Sequence, residues 1–168
     1  MQNLPNDFHN QEIAASVIDF LLKIPLFDEL DGKELKVVAT YMNYLELRKG
    51  KALFKEGDSG NFVCFVISGD IEVLKATSTG KNVVIATLGK GRIIGEMAII
   101  DNTPRSATVR ARETSTLVIL GKKNFDIILE NYPTIGIKIL KGIARLLSLN
   151  MRLTTSQLAD YILKDATT

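Results

Sequence analysis

The sequence is poor in the residues that carry most enzyme and metal chemistry. It holds one histidine, His9, and one cysteine, Cys64, in 168 residues. A lone cysteine excludes a disulfide framework and a cysteine zinc site. Cys64 sits in the apolar run Phe62-Val-Cys-Phe-Val-Ile67 and reads as a small core residue. No Ser-His-Asp or Cys-His set can be assembled, and the chain reads as no enzyme, with no catalytic residues, metal or cofactor. No apolar run approaches the ~18 residues of a membrane span. No Lys/Arg block stands out and the net charge is +2, so no nucleic-acid surface is expected. The N-terminus, Met1-Gln-Asn-Leu-Pro-Asn-Asp7, lacks the basic-then-apolar pattern of a secretory signal, which makes a cytoplasmic location the expectation. Charged residues at 24% and a mean hydropathy of +0.12 are ordinary for one globular domain.

What is present divides into three stretches. Residues 1–43 read as a helical lead-in. Ile13, Val17, Phe20, Leu21 and Ile24 share one face of a helix from about Asn10 to Lys23, which Pro25 ends. Asp31 caps a second helix running to about Tyr41. Residues 44–121 then change period. Short alternating strands are punctuated by Lys49-Gly50, Glu56-Gly-Asp-Ser-Gly60, Ser68-Gly-Asp70, Thr79-Gly-Lys81 and Gly89-Lys-Gly91. Turn signals at roughly 8–12-residue intervals predict a mainly β architecture, a β-roll or jelly roll with flanking helices. Metal-dependent cupin enzymes use such a roll, but they need clustered histidines, and His9 lies outside it, in a tail expected to be solvated.

Residues 122–168 read as C-terminal helices. One runs from Lys122 to Asn131, ended by Tyr132-Pro133, and a long one from about Thr134 to Thr154. At roughly 100° per residue its positions sort into seams. Ile135, Ile139, Gly142, Leu146, Leu149 and Leu153 form one; Ile137, Leu140, Ala144, Leu147 and Met151 form a second. A third, Lys138, Lys141, Arg145, Ser148 and Arg152, is polar. One apolar seam can cover the roll. The other, read as the heptad seam in which Gly142 permits close approach, lacks a partner within one chain and predicts a helix-to-helix homodimer through residues 134–154. Asn150 lies within the apolar arc, where it could fix the dimer register or meet a purine edge. The segment from Thr154 to Leu163 reads as a further short helix, capped by Thr155 or Ser156.

The most distinctive stretch is Ile94 to Ala111. Gly95 permits a tight turn or a close approach. Glu96-Met-Ala-Ile-Ile100 reads as one helical turn, broken by Asp101-Asn-Thr-Pro104. Arg105 follows among the small residues Ser106, Ala107 and Thr108. A glycine-led helix start exposes backbone N–H groups, and a nearby arginine can clamp the same anion. Glu96 would be repelled by that anion unless it faces a hydroxyl of the same ligand. One phosphate beside one hydroxyl describes a nucleotide. The alternative is an ion pair between Glu96 and Arg105 that closes a loop.

Ile94-Gly-Glu-Met-Ala-Ile99, five residues, then Arg105-Ser-Ala-Thr-Val-Arg-Ala111 is similar to the phosphate-binding cassette of the cyclic nucleotide-binding domain family. That family includes catabolite activator proteins, regulatory subunits of cyclic-AMP-dependent kinase and cyclic-nucleotide-gated channels. Ile24-Pro-Leu-Phe27, Phe54-Lys-Glu-Gly-Asp-Ser-Gly60 and Phe65-Val-Ile-Ser-Gly-Asp-Ile-Glu-Val73 extend the resemblance across roughly residues 20 to 150. It implies a β-roll module that binds a cyclic mononucleotide, passes the signal through its C-terminal helix, and acts on an unknown downstream protein. It implies that Gly95, Glu96, Met97, Ala98, Arg105, Ser106 and Ala107 surround the phosphate and ribose. Val73, Ile85 and Leu88 would wall the base, and Asn150 would close over it. Serine at position 106 points to cyclic AMP over cyclic GMP. Too little chain follows Arg152 for a helix-turn-helix, so no DNA-binding domain is expected. The alternative is a degenerate or repurposed domain, an interaction protein or a binder of cyclic GMP or a cyclic dinucleotide.

Overall fold

The computed structural model describes residues 11–101 and 103–165, so the His9 and N-terminal tail readings lie outside the described residues. Helix α1 spans Gln11–Leu21 and buries Val17, Phe20 and Leu21, while Leu22 on the other side is half exposed. Pro25 starts a short 3-10 turn, Pro25–Phe27, in place of further helix. Helix α2, Gly32–Thr40, opens on a reciprocal cap. The Asp31 carboxylate accepts from the N–H groups of Lys33 and Glu34 at 2.8 and 2.9 Å, and Glu34 accepts from the Asp31 N–H at 2.9 Å. Those amide donors hold the Asp31 carboxyl below its ordinary pKa.

Eight strands follow: β1 Met42–Leu47, β2 Ala52–Phe54, β3 Phe62–Ser68, β4 Ile71–Ala76, β5 Asn82–Leu88, β6 Ile93–Ile94, β7 Thr108–Ala111 and β8 Ser115–Gly121. They form two four-stranded antiparallel sheets, ordered β1-β8-β3-β6 and β2-β7-β4-β5. This is the jelly-roll arrangement expected from the glycine spacing. The central strands of the first sheet, β3 and β8, read as unbroken apolar runs because both their faces are buried. Val63, Phe65, Val118 and Leu120 pack on the helices. Cys64, Val66, Leu117 and Ile119 face the second sheet. Burial pushes the Cys64 thiol up to about 12, so it stays protonated within the roll.

Between β6 and β7 lies helix α3, Glu96–Asp101. After β8 come α4, Lys122–Asn131, and α5, Pro133–Asp165. The structure corrects two expectations about α5. First, it is one continuous 33-residue helix with no break or cap near Thr154. The Thr155 and Ser156 hydroxyls donate backwards to the carbonyls of Met151 and Arg152 at 2.9 and 3.1 Å, which satisfies them inside the helix. Second, the N-terminal part of the seam containing Gly142 packs within the chain. Ile135 and Ile139 are buried, as is Ile143 beside the seam, and a Cβ on Gly142 would collide with the Leu26 carbonyl. The glycine serves a close approach to the 3-10 turn. The second seam is open at Ile137 and Met151, exposed by 53% and 71%, and towards the C-terminus the Gly142 seam opens as well, at Leu149 and Leu153. Two residues of the polar seam tie α5 to the lead-in: Lys138 pairs with Glu34 at 2.7 Å and Arg145 with Glu29 at 3.0 Å. Among the described residues no helix is long and apolar enough to cross a membrane.

Candidate functional site

A cavity of about 230 Å³ opens between α3, the segment 103–107, the second sheet and α5. Its walls include Gly95, Glu96, Met97, Ala98, Arg105, Ser106 and Ala107, together with Val73, Leu88 and Asn150. Residues 77 positions apart, Val73 and Asn150, thus face one space.

Ile85 does not line it. The β4–β5 ladder pairs Val73 with Ala86 and Leu74 with Val84, so Ile85 is the extra residue of a bulge. It is 61% exposed. The resemblance that assigned Ile85 to the base wall does not register this bulge.

Arg105 is the centre of the site. It is 4% exposed, and it is held on every side. Its backbone N–H donates to the Asp58 carbonyl at 2.8 Å, and its carbonyl accepts from Gly57 N–H at 2.9 Å. Its Nη2 donates to the Phe62 carbonyl at 2.8 Å and its Nη1 to the Gly95 carbonyl at 3.2 Å. The rings of Phe54 and Phe62 flank the guanidinium, 4.0 and 4.5 Å from Cζ. Gly95 has φ +82°, and any Cβ there would strike Arg105 Nη1, so the glycine serves both the turn and the approach. The Nε N–H is buried and has no partner. A buried donor without an acceptor is costly, and a buried cation more so. Burial accordingly draws the Arg105 pKa down, while Cys64, Asp58 and Glu96 act to raise it.

Glu96 is half-buried at the start of α3. Burial raises its pKa, opposed by backbone amides at Glu96 and Gly95 and by the charge of Arg105. Glu96 does not pair with Arg105; the ion pairs among the described residues lie elsewhere. The loop-closing ion pair is therefore absent. The site instead presents a buried arginine with spare donors, a carboxylate with spare acceptor capacity, and an apolar wall. Such a set suits an anion, a hydroxyl and a flat apolar group on one small ligand.

Phe54, Phe62 and Arg92 were not singled out for the site from sequence. Phe54 and Phe62 come from strands far from the cassette, and nothing in their local pattern signals a cation between them. Arg92 lines this cavity and a neighbouring one of about 290 Å³ walled by Leu26, Gly142 and Leu149; Asn150 also borders both. No cluster of potential metal ligands occurs among the described residues.

Residues 44–132 match the family model of the cyclic nucleotide-binding domain. A cAMP-dependent protein kinase regulatory subunit from Yarrowia lipolytica is 33% identical over 123 residues, 68% of this chain and 32% of that protein. The crystal structure of a cyclic nucleotide-binding domain from Methylobacillus flagellatus is 28% identical, with a TM-score of 0.79 over 88% of this chain and 83% of that one. The regulatory domain of Toxoplasma gondii PKA, solved with cAMP, is 30% identical, with a TM-score of 0.65 over 71% of this chain and 45% of that one. The chain spans between 19% and 32% of the length of the kinase subunits it matches. With the cassette, the roll and these relatives in agreement, the chain belongs to the cyclic nucleotide-binding domain family, as a regulatory, nucleotide-binding module.

Proposed function

We propose that this chain is a cytoplasmic sensor of cyclic AMP. The observation that carries the reading is Arg105, a buried arginine in the wall of the cavity whose Nε has no partner. In this reading Arg105 and the N–H groups of Ala98 and Ala107 hold the cyclic phosphate. Glu96 accepts the ribose 2′-hydroxyl, and Val73 and Leu88 pack on the base. Ser106 favours cyclic AMP over cyclic GMP on the resemblance given above, and the related Toxoplasma domain was solved with cAMP. Isothermal titration with both nucleotides tests it. The expected result is saturable binding with cyclic AMP the tighter ligand. Absence of binding by either overturns the reading and leaves a repurposed domain or one for a cyclic dinucleotide.

The output in this reading is α5. Asn150 lines the cavity, while the helix is anchored to the lead-in through Gly142, Lys138 and Arg145. A ligand shifts a conformational equilibrium only through contacts that differ between its states. Asn150 supplies such a contact. The open seam of Ile137, Leu140, Ala144, Leu147 and Met151 continues at the same three-and-four spacing through Thr154, Leu158 and Tyr161. Leu158 and Tyr161 are exposed by 56% and 64%. That seam favours a homodimer or an unidentified downstream protein as the receiver. Hydrogen exchange on residues 134–154 should slow when cyclic AMP binds. Unchanged exchange there, with protection confined to the cassette, makes α5 a fixed strut.

A further inference from the structure

Lys75, on β4, stands outside the cavity yet touches its wall from behind. Its ammonium donates to the Ser106 carbonyl at 2.7 Å and to Glu56 Oε1 at 2.5 Å. Glu56 is itself fixed: its Oε2 accepts from Ala76 N–H at 3.2 Å, and its own N–H donates to the Thr108 hydroxyl at 3.0 Å. Hydrogen bonding from Lys75, then from Ala76 N–H, holds the Glu56 carboxyl below its ordinary pKa. The lysine, its carboxylate and both ends of the segment 106–108 form one closed set of contacts.

The Ser106 carbonyl and the Ala107 N–H belong to the same peptide. Among the described residues there is no cis peptide bond, so those two groups point in opposite directions. Lys75 grips the carbonyl on the outer side. The Ala107 N–H is thereby turned away from Lys75, toward the cavity that Ala107 lines. It has no hydrogen-bond acceptor among the described residues. A cation on a carbonyl also polarises the peptide and strengthens the donor at its other end.

We propose that Lys75 is a positioning residue for the phosphate: it orients and polarises the Ser106–Ala107 peptide so that the Ala107 N–H donates to the ligand's anionic oxygen. This rests on the reading of the cavity as a cyclic-nucleotide site. Neither Lys75 nor Glu56 needs to touch the ligand, and neither borders the cavity.

The test uses Lys75→Met, which keeps length and apolar bulk, and Lys75→Arg, which restores the charged donor. In the ligand-free protein the Ala107 amide proton should resonate further downfield in wild type and Lys75→Arg than in Lys75→Met. The cyclic AMP Kd of Lys75→Met should rise about tenfold, the scale of one hydrogen bond to a charged group. Lys75→Arg should restore most of that affinity. The ratio of 2′-deoxy to parent affinity should stay unchanged in Lys75→Met, because the ribose contact is untouched. An unmoved Ala107 resonance, or an unaltered Kd, overturns the proposal. So does loss of the 2′-deoxy discrimination, which marks a collapsed cassette. The amide shift needs no nucleotide. If wild type binds none, the cyclic-nucleotide reading fails on titration while Lys75 is still judged by resonance.

Discussion

The two sides of the cavity are built in opposite ways. On the cassette side Arg105 is clamped by the Gly95 and Phe62 carbonyls, flanked by two phenylalanine rings and tied through its backbone to residues 57 and 58. On the α5 side, among the described residues, Asn150 alone of that helix lines the cavity. It sits where the helix leaves the core: Ile143 is 2% exposed, Leu149 55%. The difference teaches where preorganisation is spent. A phosphate corner that is rigid before binding needs little ordering. A wall that touches the ligand with one side chain can respond to it, because few contacts oppose its movement.

The largest expected effect tests the rigid side. Arg105→Ala should weaken cyclic AMP binding by about 2–5 kcal/mol, the range for stranding one member of a buried charged contact. It should also lower Tm, since the Gly95 and Phe62 carbonyls lose their donors. Unchanged affinity in a folded Arg105→Ala protein, measured by titration, removes the arginine from the phosphate site.

Next comes Glu96. The 2′-deoxy ligand should bind about 1–3 kcal/mol more weakly than cyclic AMP, because it leaves the carboxylate unsatisfied. That penalty should vanish in Glu96→Ala; if it persists, the hydroxyl is read elsewhere. Burial also gives a pH signature. The folded protein holds the Glu96 carboxyl above its ordinary pKa, so stability falls as the pH rises from the ordinary value through that raised value, and the loss is complete above it. Glu96→Gln should therefore raise the Tm of the ligand-free protein at neutral pH. The gain should fade as the pH falls through the raised value and be gone well below about 4.3, the ordinary glutamate value, where the carboxyl is protonated in both states. A pH-independent Tm difference would show that the carboxylate is not strained by burial.

The responsive side should show smaller effects. Asn150→Ala should cost about 0.5–1.5 kcal/mol of affinity, one hydrogen bond's worth. It should also reduce the ligand-induced protection of α5 while leaving cassette protection intact. Equal losses of protection in both regions would mean that the two sides act as one rigid unit. The smallest effect separates true base wall from its neighbour. Ile85→Ala should change cyclic AMP affinity by no more than about 0.5 kcal/mol, as for an exposed residue away from special contacts. A larger loss would mean that the bulged strand folds inward over bound ligand.

Much of this molecule was legible in the chain because the signals are local. The cassette could be read because its parts lie within a dozen residues. Gly95 and Arg105 are ten positions apart, and the turn between them brings them into contact. The jelly roll could be read because turn glycines recur at short intervals. Ile85, assigned to the base wall by resemblance, lies outside the cavity because the β4–β5 ladder carries a bulge there, and a bulge leaves no trace in the sequence pattern. Periodicity likewise separated the two apolar seams of α5 without saying which faced inward.

The sequence by itself thus determined most of the elements, the sheet-forming stretch and the glycine-led turn that carries Arg105. Each depends on backbone preference and side-chain chemistry over a few neighbours. Only the tertiary structure decided which seam of α5 is open. That choice rests on the Leu26 carbonyl, more than a hundred residues away, reaching Gly142, where the helix has no Cβ. Only the tertiary structure set Phe54 and Phe62 around Arg105, put Lys75 behind Ser106 and brought Asn150 to the cavity. These contacts join residues distant in sequence, and their strength comes from burial, which a chain acquires only when its sheets and helices close on one another.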